Sequence, residues 1–235
     1  MRATVVIQST LHRHHETVAG YSFAALTTII EDLRPDVFAL ELTQEGIERR
    51  AIQRYKSEYQ HCVYPYLEQH STPAFALEPD EPQSSEILSR MRRAEQDLLI
   101  RDPEAKKEFE DSAWELLAGL AQEWRTPEAV NSERTDSIFQ DKHMRQNLLY
   151  GPSYEAAWDE WNGHFAEVIR RVAKSSPGKL VLVLVGAEHR YWLTARLVSD
   201  ESMNLKTAVE VLRARQRNPD FSVGAPATPL AKGKR

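Results

Sequence analysis

Four apolar runs, nearly continuous rather than alternating, constrain the fold of this 235-residue chain more than any other feature. A strand that is covered by helices on both sides needs apolar residues on both of its faces. Such strands are typical of parallel sheets, because the connections between parallel strands carry the covering helices. In chain order the runs are Ala3–Thr10, Asp36–Leu42, Thr72–Glu78 and Lys179–Gly186.

The segments between these runs predict an α/β fold with a mostly parallel sheet flanked by helices. The segment Ser22–Leu33 has apolar residues at helical spacing, and Pro35 ends it because the residue before a proline is pushed out of the helical conformation. A polar helix over Gln44–Glu58 is the predicted second connection. From about 84 to 175 the pattern is helical without a strand, which predicts a large helical insertion between the third and fourth strands.

The C-terminal part divides into three segments. A helix is predicted over Arg190–Val198, whereas Leu205–Leu212 fits both the helical and the extended pattern and stays open. Residues 216–235 are rich in Pro, Gly and Ala, which predicts a disordered tail. We therefore predict a single α/β domain over residues 1–215, with the helical insertion inside it.

Charge and cysteine content limit the classes of partner. The formal net charge is −5, and no basic stripe with interleaved aromatics favours a nucleic acid or an anionic membrane, so a small-molecule or peptide substrate is expected. The single cysteine, Cys62, excludes an intramolecular disulfide. The first apolar run is too short for a signal peptide, and no segment reaches the roughly 18 apolar residues of a membrane span. These features predict a cytoplasmic protein and say nothing of its oligomeric state.

Each of the four runs ends in histidines or carboxylates. In an open parallel sheet, ligands bind beyond the carboxyl ends of the strands, where the loops converge. We therefore expect these side chains to share one rim of the sheet. In chain order they are His12, His14, His15 and Glu16, then Glu41, then Glu78, and finally Glu188 and His189.

Glu41 is the most informative of these residues, because it stands between two leucines in a predicted buried strand. A buried carboxylate is unfavourable unless it is paired, hydrogen-bonded or bound to a metal. One explanation is catalysis or metal binding, and the alternative is a salt bridge to Arg49 or Arg50. In that alternative the histidines are scattered and do not form a site with Glu41.

Two nitrogens and one carboxylate from His12, His189 and Glu41 form a ligand set that suits Zn²⁺ or Mn²⁺ and leaves a position for water. A bound ion would activate that water for hydrolysis. Glu16 lies four residues after His12, so it shares a face with His12 if the loop is helical and is the candidate assisting base. Without a metal, the same groups form a general-base cluster. His14 and His15 are interpreted as exposed loop residues.

The order of the motifs resembles the superfamily that joins the TraB/PrgY proteins, the TIKI metalloproteases and the erythromycin esterases. The matching pieces are Ser9-Thr10-Leu11-His12, Leu33-Arg34-Pro35-Asp36, the strand Val37–Leu42 with Glu41, and Gly186-Ala187-Glu188-His189 as a GxxH motif. The best candidates for the RDxxMAxN-like helix of the family are Asp141, Met144 and Asn147 in QDKHMRQN.

The resemblance implies a hydrolase-like α/β fold in which the two motif histidines and the strand glutamate form the site. Members include metal-dependent peptidases, metal-independent esterases of macrolide lactones, and proteins credited with peptide-pheromone or haem binding. This chain departs at Ser9, where glycine is usual, at Gln140, where arginine is expected, and at Glu188, where a small residue is usual. Arg145 is the candidate to replace the missing arginine, and Arg145 and Glu78 are the candidate substrate-binding residues.

Two functions from different classes follow. The first is an enzyme that hydrolyses an amide or ester bond, metal-assisted, with His12, Glu16, Glu41 and His189 as catalytic residues. The second is a non-catalytic protein that uses the same pocket and the helical insertion to bind a peptide, haem or a signalling partner. The tryptophans of the insertion, such as Trp158 and Trp161, are interpreted as core residues rather than pocket lining.

Overall fold

The structure, a computed structural model, describes residues 1–51 and 54–217. Its centre is a sheet of five strands, β1 (Ala3–Thr10), β2 (Val37–Leu40), β3 (Ala74–Ala76), β4 (Leu180–Gly186) and β5 (Met203–Lys206). All paired strands are parallel, and their order across the sheet is β3-β2-β4-β1-β5. The predicted α/β class with a parallel sheet flanked by helices is therefore confirmed.

The helices follow the strands along the chain. They are α1 (Phe23–Leu33), α2 (Gln44–Glu48), α3 (Tyr64–His70), α4 (Gln83–Arg101), α5 (Pro103–Glu123), α6 (Pro127–Val130), α7 (Glu133–Tyr150), α8 (Pro152–Ser175), α9 (Ala187–Leu197) and α10 (Ala208–Arg217). Two 3₁₀ turns cover His12–Glu16 and Ala19–Tyr21, and a π-helical turn covers Tyr59–Val63. Helices α4 to α8 occupy the span between β3 and β4 where the insertion is predicted.

The sheet is buried on both faces, as the apolar runs require. In β4 the leucines at 180, 182 and 184 contact one hydrophobic cluster and the valines at 181, 183 and 185 contact another. The leucine face packs against α1, α3 and α10, whereas the valine face packs against α4, α8 and α9. Because side chains alternate along a strand, a run without polar interruptions is what this two-sided burial needs.

Two predictions about local structure change. The polar helix predicted over Gln44–Glu58 is wrong as one continuous element, because α2 ends at Glu48 and, of the described residues that follow, 49–51 and 54–56 are not helical. The open segment Leu205–Leu212 is divided, since β5 ends at Lys206 and α10 begins at Ala208. Thr207 and Glu210 make reciprocal capping bonds at this boundary, which is the capping box that starts a helix.

The predicted tail overlaps the described part of the chain by two residues. Residues 216 and 217 belong to α10 and are helical, so the tail prediction is wrong for them. Residues 218–235 lie outside the described residues. Among the described helices, none combines the length and the apolar character that crossing a membrane requires.

Gly20 and Gly119 give a matched test of this packing. A Cβ on Gly20 would lie 2.2 Å from the carbonyl carbon of Arg125, whereas a Cβ on Gly119 in α5 meets no atom within 4 Å. We expect Gly20→Ala to lower the free energy of unfolding by roughly 1–3 kcal/mol, because of the steric overlap. Gly119→Ala is expected to raise it by roughly 0.5–1 kcal/mol, because glycine is costly inside a helix. Urea denaturation measures both, and equal stability of the two variants would contradict the described contact.

Candidate active site

The carboxyl ends of β1 and β4 form a crevice. Thr10, the last residue of β1, pairs with Gly186, the last residue of β4. The helix that follows β1 packs on the leucine face of the sheet, and the helix that follows β4 packs on the valine face. Chains that leave adjacent strands toward opposite faces open a space between them, which is where open α/β sheets bind ligands.

A pocket of about 300 Å³ occupies this crevice. Its polar side consists of residues that follow the strand ends, and its apolar side comes from the helical insertion. The polar side includes Thr10, His12, His14, Glu41, Lys56, Glu188 and His189, and the apolar side includes Leu117, Trp124, Phe139 and Trp158.

Glu41 lies at the centre of the polar side, one residue beyond the end of β2. One carboxylate oxygen, Oε2, accepts a hydrogen bond of 2.5 Å from the backbone amide of Gly186. The other, Oε1, lies 3.9 Å from Nε2 of His12 and 3.7 Å from Nε2 of His189. Imidazoles from opposite ends of the sequence therefore face a single carboxylate oxygen, and three of the predicted site residues converge.

The counterion of Glu41 is Lys56 rather than an arginine. Its ammonium lies 2.9 Å from Glu41 Oε1, donates to the backbone oxygen of Glu41 at 2.8 Å, and donates to Glu78 Oε1 at 2.5 Å. Arg49 and Arg50 pair instead with surface carboxylates on α2 and α3. The alternative of an arginine salt bridge is therefore wrong.

These contacts fix the charge on Glu41. Burial by itself would raise the pKa of Glu41, but the Lys56 ammonium, the two imidazoles and the Gly186 amide together hold that pKa well below its ordinary value. Burial would likewise lower the pKa of Lys56, but the carboxylates of Glu41 and Glu78 hold it above its ordinary value. The pair is therefore ionised at neutral pH.

His12 is held in place by its backbone conformation and by two side-chain contacts. Its backbone has a φ of 51°, in the left-handed region, which turns the chain sharply after β1. Its Nδ1 lies 2.8 Å from Oε1 of the fully buried Glu58, and its ring packs against Tyr55. Burial lowers the pKa of His12, but the hydrogen bond to Glu58 and the charge of Glu41 outweigh it, so the net pKa is raised.

Gly186 is required for this convergence. A Cβ at this position would lie 2.8 Å from Nε2 of His12 and 3.4 Å from Oε2 of Glu41. The glycine of the GxxH motif therefore allows the backbone to approach the site closely. It is also the N-cap of α9, and the first two residues of that helix, Ala187 and Glu188, line the pocket.

His189 is held by one face of α8. Its Nδ1 lies 2.8 Å from Oδ1 of Asn162, and its ring stacks on Trp158 with centroids 4.8 Å apart. Trp158 and Asn162 are four residues apart, which places both on the same face of the helix. Burial, which outweighs the charge of Glu41, lowers the pKa of His189 to about 4.

Glu188, the departure from the GxxH pattern, lies at the edge of the pocket. Its Oε2 contacts Lys142 at 2.6 Å and Nε2 of the buried His143 at 3.1 Å. Burial would raise the pKa of Glu188, but these two partners hold it below its ordinary value. Within the described part of the chain, Glu78 contacts the site through Lys56 alone, and its pKa is raised by burial.

Three predicted site residues do not line the pocket, namely Glu78, Glu16 and Arg145. Glu16 is exposed, because the turn after His12 is a 3₁₀ helix, in which residues four apart do not share a face. Arg145 is exposed and lines a separate groove with Phe109 and Asp141. It lies two residues beyond the buried His143, so the two positions are about 200° apart around the helix axis. The other residues of the predicted α7 motif, Met144 and Asn147, also lie off the pocket lining.

The interpretations of three single residues, His15, His14 and Trp158, also change. His15 is buried rather than exposed, with Nε2 accepting from the amide of Leu11 and Nδ1 bonded to the carbonyl of Tyr21. His14 is half-buried and lines the pocket. Trp161 belongs to the core as predicted, whereas Trp158 forms a wall of the pocket.

The segment Tyr55–Tyr59 contributes to the site although no pattern in the sequence predicted it. Tyr55 packs on His12, Lys56 binds Glu41, Glu58 binds His12, and the hydroxyl of Tyr59 accepts from the amide of Glu41. The segment carries no periodic pattern and follows a polar stretch. The only indication in the sequence was that a buried Glu41 needs a cation, and this suggested Arg49 or Arg50 rather than Lys56.

The carboxylate of the predicted ligand set is already paired. Its Oε1 contacts the Lys56 ammonium and its Oε2 accepts from the Gly186 amide, so a metal ion bound by Oε1 would have to share that oxygen with the ammonium. A second cation beside Lys56 would also be repelled. Within residues 1–51 and 54–217, no group of three histidine, cysteine, aspartate or glutamate side chains is arranged to hold a metal ion.

Acid is expected to destabilise the folded protein through His189. Between the ordinary pKa of 6.5 and the folded value of about 4, the unfolded chain binds a proton on this ring and the folded chain does not. As pH falls through this range, the free energy of unfolding falls by up to about 3 kcal/mol, whereas above pH 6.5 the residue has no such effect. Urea denaturation at a series of pH values measures this.

The matched variant is His189→Gln, since other buried histidines such as His15 and His143 also have lowered pKa values. Its stability should depend less steeply on pH than that of the wild type between pH 6.5 and 4. Parallel curves for the two proteins would contradict the assignment.

Comparison of the chain with models of known protein families, with curated proteins and with solved structures finds no match. The resemblance to the TraB/PrgY, TIKI and erythromycin esterase superfamily therefore stays a prediction that depends on the short motifs alone.

Proposed function

We propose that the protein hydrolyses an ester or amide bond of a small-molecule or peptide substrate in the pocket between β1 and β4. The observation that carries this proposal is the approach of two imidazole Nε2 atoms to within 4 Å of one carboxylate oxygen of Glu41. Histidines next to a carboxylate in a pocket are the groups that activate water in hydrolases.

The two histidines are not equivalent bases. The raised pKa of His12 and its bond to the Glu58 carboxylate favour proton uptake on its ring. His189, with a pKa of about 4, stays neutral at physiological pH. His12 is therefore the general base, which takes a proton from water as the water attacks the carbonyl carbon and then gives it to the leaving group.

The oxyanion that forms on the substrate needs hydrogen-bond donors. The Lys56 ammonium already donates to three acceptors, two on Glu41 and one on Glu78. Ala187 and Glu188, the first residues of α9, line the same pocket, and the first N–H groups of a helix have no intrahelical partner. These N–H groups, with the positive end of the helix dipole, are the donors available to the oxyanion.

The proposal does not involve a metal. An ammonium already neutralises Glu41, so the acid and base chemistry is assigned to His12 and His189. The geometry therefore supports the general-base form of the predicted hydrolase over the metal-assisted form with Zn²⁺ or Mn²⁺.

The apolar wall of the pocket supports a second candidate, a protein that binds a ligand without reaction. Trp124 and Trp158 line this wall, so ligand binding should change the tryptophan fluorescence. Binding measured in this way, together with uniform inactivity towards esters, lactones and peptides, would favour the binding protein over the enzyme.

Substitution of the central histidine tests the catalytic role. We expect His12→Ala to lower kcat/KM for the best ester or lactone substrate by about 10²- to 10⁴-fold, because the general base is lost. His164→Ala, which removes a histidine outside the pocket lining, is the control and should leave the rate unchanged. Equal rates for the wild type and His12→Ala would refute the assignment.

Metal analysis tests the metal-free form. We expect purified protein to contain far less than one equivalent of Zn or Mn by elemental analysis, and its hydrolytic rate to be unaffected by a chelator, because Lys56 is the cation that neutralises Glu41. One tightly bound equivalent that is lost in His12→Ala would show that the metal-assisted form is correct.

A further inference from the structure

The hydrogen bonds on the outer nitrogens of the two imidazoles determine where their protons lie. The side-chain nitrogen of Asn162 donates to the backbone oxygen of Trp158 at 2.9 Å, so the amide oxygen is the atom that faces His189. An amide oxygen only accepts hydrogen bonds, so Nδ1 of His189 must carry a hydrogen. In the neutral ring, Nε2 is then a bare acceptor.

His12 has the same arrangement with a different partner. Its Nδ1 faces Oε1 of Glu58 at 2.8 Å, and a carboxylate accepts hydrogen bonds, so Nδ1 of His12 carries the hydrogen. Glu58 is fully buried, and its second oxygen, Oε2, has no hydrogen-bond partner among the described residues. Among the described residues, the Glu58 side chain therefore hydrogen-bonds to His12 alone.

The two bare Nε2 atoms face a common space. They lie 3.9 Å and 3.7 Å from Oε1 of Glu41, which is too long for a direct hydrogen bond, and all three atoms are acceptors. Lys56 supplies a hydrogen to the carboxylate but not to the imidazoles. Buried acceptors are unfavourable without a donor, and a molecule with two O–H groups can satisfy two of them at once.

We propose that Glu58 and Asn162 are positioning residues that hold His12 and His189 in the same Nδ1–H tautomer, so that both Nε2 atoms accept hydrogen bonds from one water molecule. This rests on the proposed hydrolysis, since that water is its nucleophile. His12 is bonded to a negative carboxylate and His189 to a neutral amide, so the two histidines have different roles. His12 takes the proton, and His189 only orients the water.

The proton balance follows from this division. The water oxygen bonds to the carbonyl carbon, and one of its protons moves to Nε2 of His12, which makes an imidazolium facing the Glu58 carboxylate. When the bond to the leaving oxygen breaks, that proton moves from Nε2 to the leaving oxygen. The products are a carboxylic acid and an alcohol, and the ring of His12 is neutral again.

The first measurement is made on the wild-type protein, and variants serve only to assign its signals. In wild-type protein with ¹⁵N-labelled histidine, the two rings are assigned by comparison with His12→Gln and His189→Gln. At pH 8 both rings are expected to carry hydrogen on Nδ1 and none on Nε2. Hydrogen on Nε2 of either ring would overturn the proposal, whether or not the protein hydrolyses esters.

The second measurement changes the charge of the residue bonded to each imidazole. Glu58→Gln keeps an acceptor for His12 but removes its charge, so kcat should fall about 10- to 100-fold with little change in KM, as for other residues that orient a reacting group. The acid limb of the pH–rate profile should move to lower pH. Asn162→Asp should lower kcat as well, because His189 then gains a carboxylate partner and becomes protonated.

Glu108→Gln, on the exposed surface of α5, is the matched control and should behave as the wild type. Wild-type kcat in both Glu58→Gln and Asn162→Asp would overturn the positioning role. If no substrate is hydrolysed but both rings show the Nδ1–H tautomer, the proposed function fails and the assigned hydrogen-bond arrangement stands.

Discussion

The ion pair between Glu41 and Lys56 is the interaction on which the rest of the site depends. A carboxylate at the end of a central strand is tolerated only if its charge is neutralised where it lies. Lys56 does this and also binds the backbone of Glu41 and the side chain of Glu78. It therefore connects the chain after β2 to the chain after β3, and it holds the carboxylate where the two imidazoles meet.

The parallel sheet brings these residues together through its topology. Adjacent strands end at the same rim, so Thr10 and Gly186 lie side by side although they are far apart in the sequence. The helices then complete the site from opposite faces of the sheet. The segment Tyr55–Tyr59 holds His12 and Glu41, and one face of α8 holds His189, so both imidazoles are positioned by a second layer of side chains.

Much of the fold could be predicted from local patterns. The continuous apolar runs predicted β1 and β4 almost to the residue, and the helical spacing predicted α1. The edge strand β5 was missed because Met203–Lys206 is half exposed and lacks an apolar run. The helix predicted over Gln44–Glu58 was wrong because this segment is polar and has no apolar face that would pack against the core as a helix. Its conformation therefore depends on its contacts with the site rather than on helix propensity.

The sequence by itself determined the class of fold and the three central residues, because the ends of buried strands are defined by hydrophobicity and parallel strands share a rim. Only the tertiary structure decided which cation neutralises Glu41, which groups orient His12 and His189, and that Glu16 and Arg145 lie elsewhere. These choices depend on distances between segments that are remote in the chain. Charge complementarity in the sequence offers several equivalent partners, and packing selects one of them.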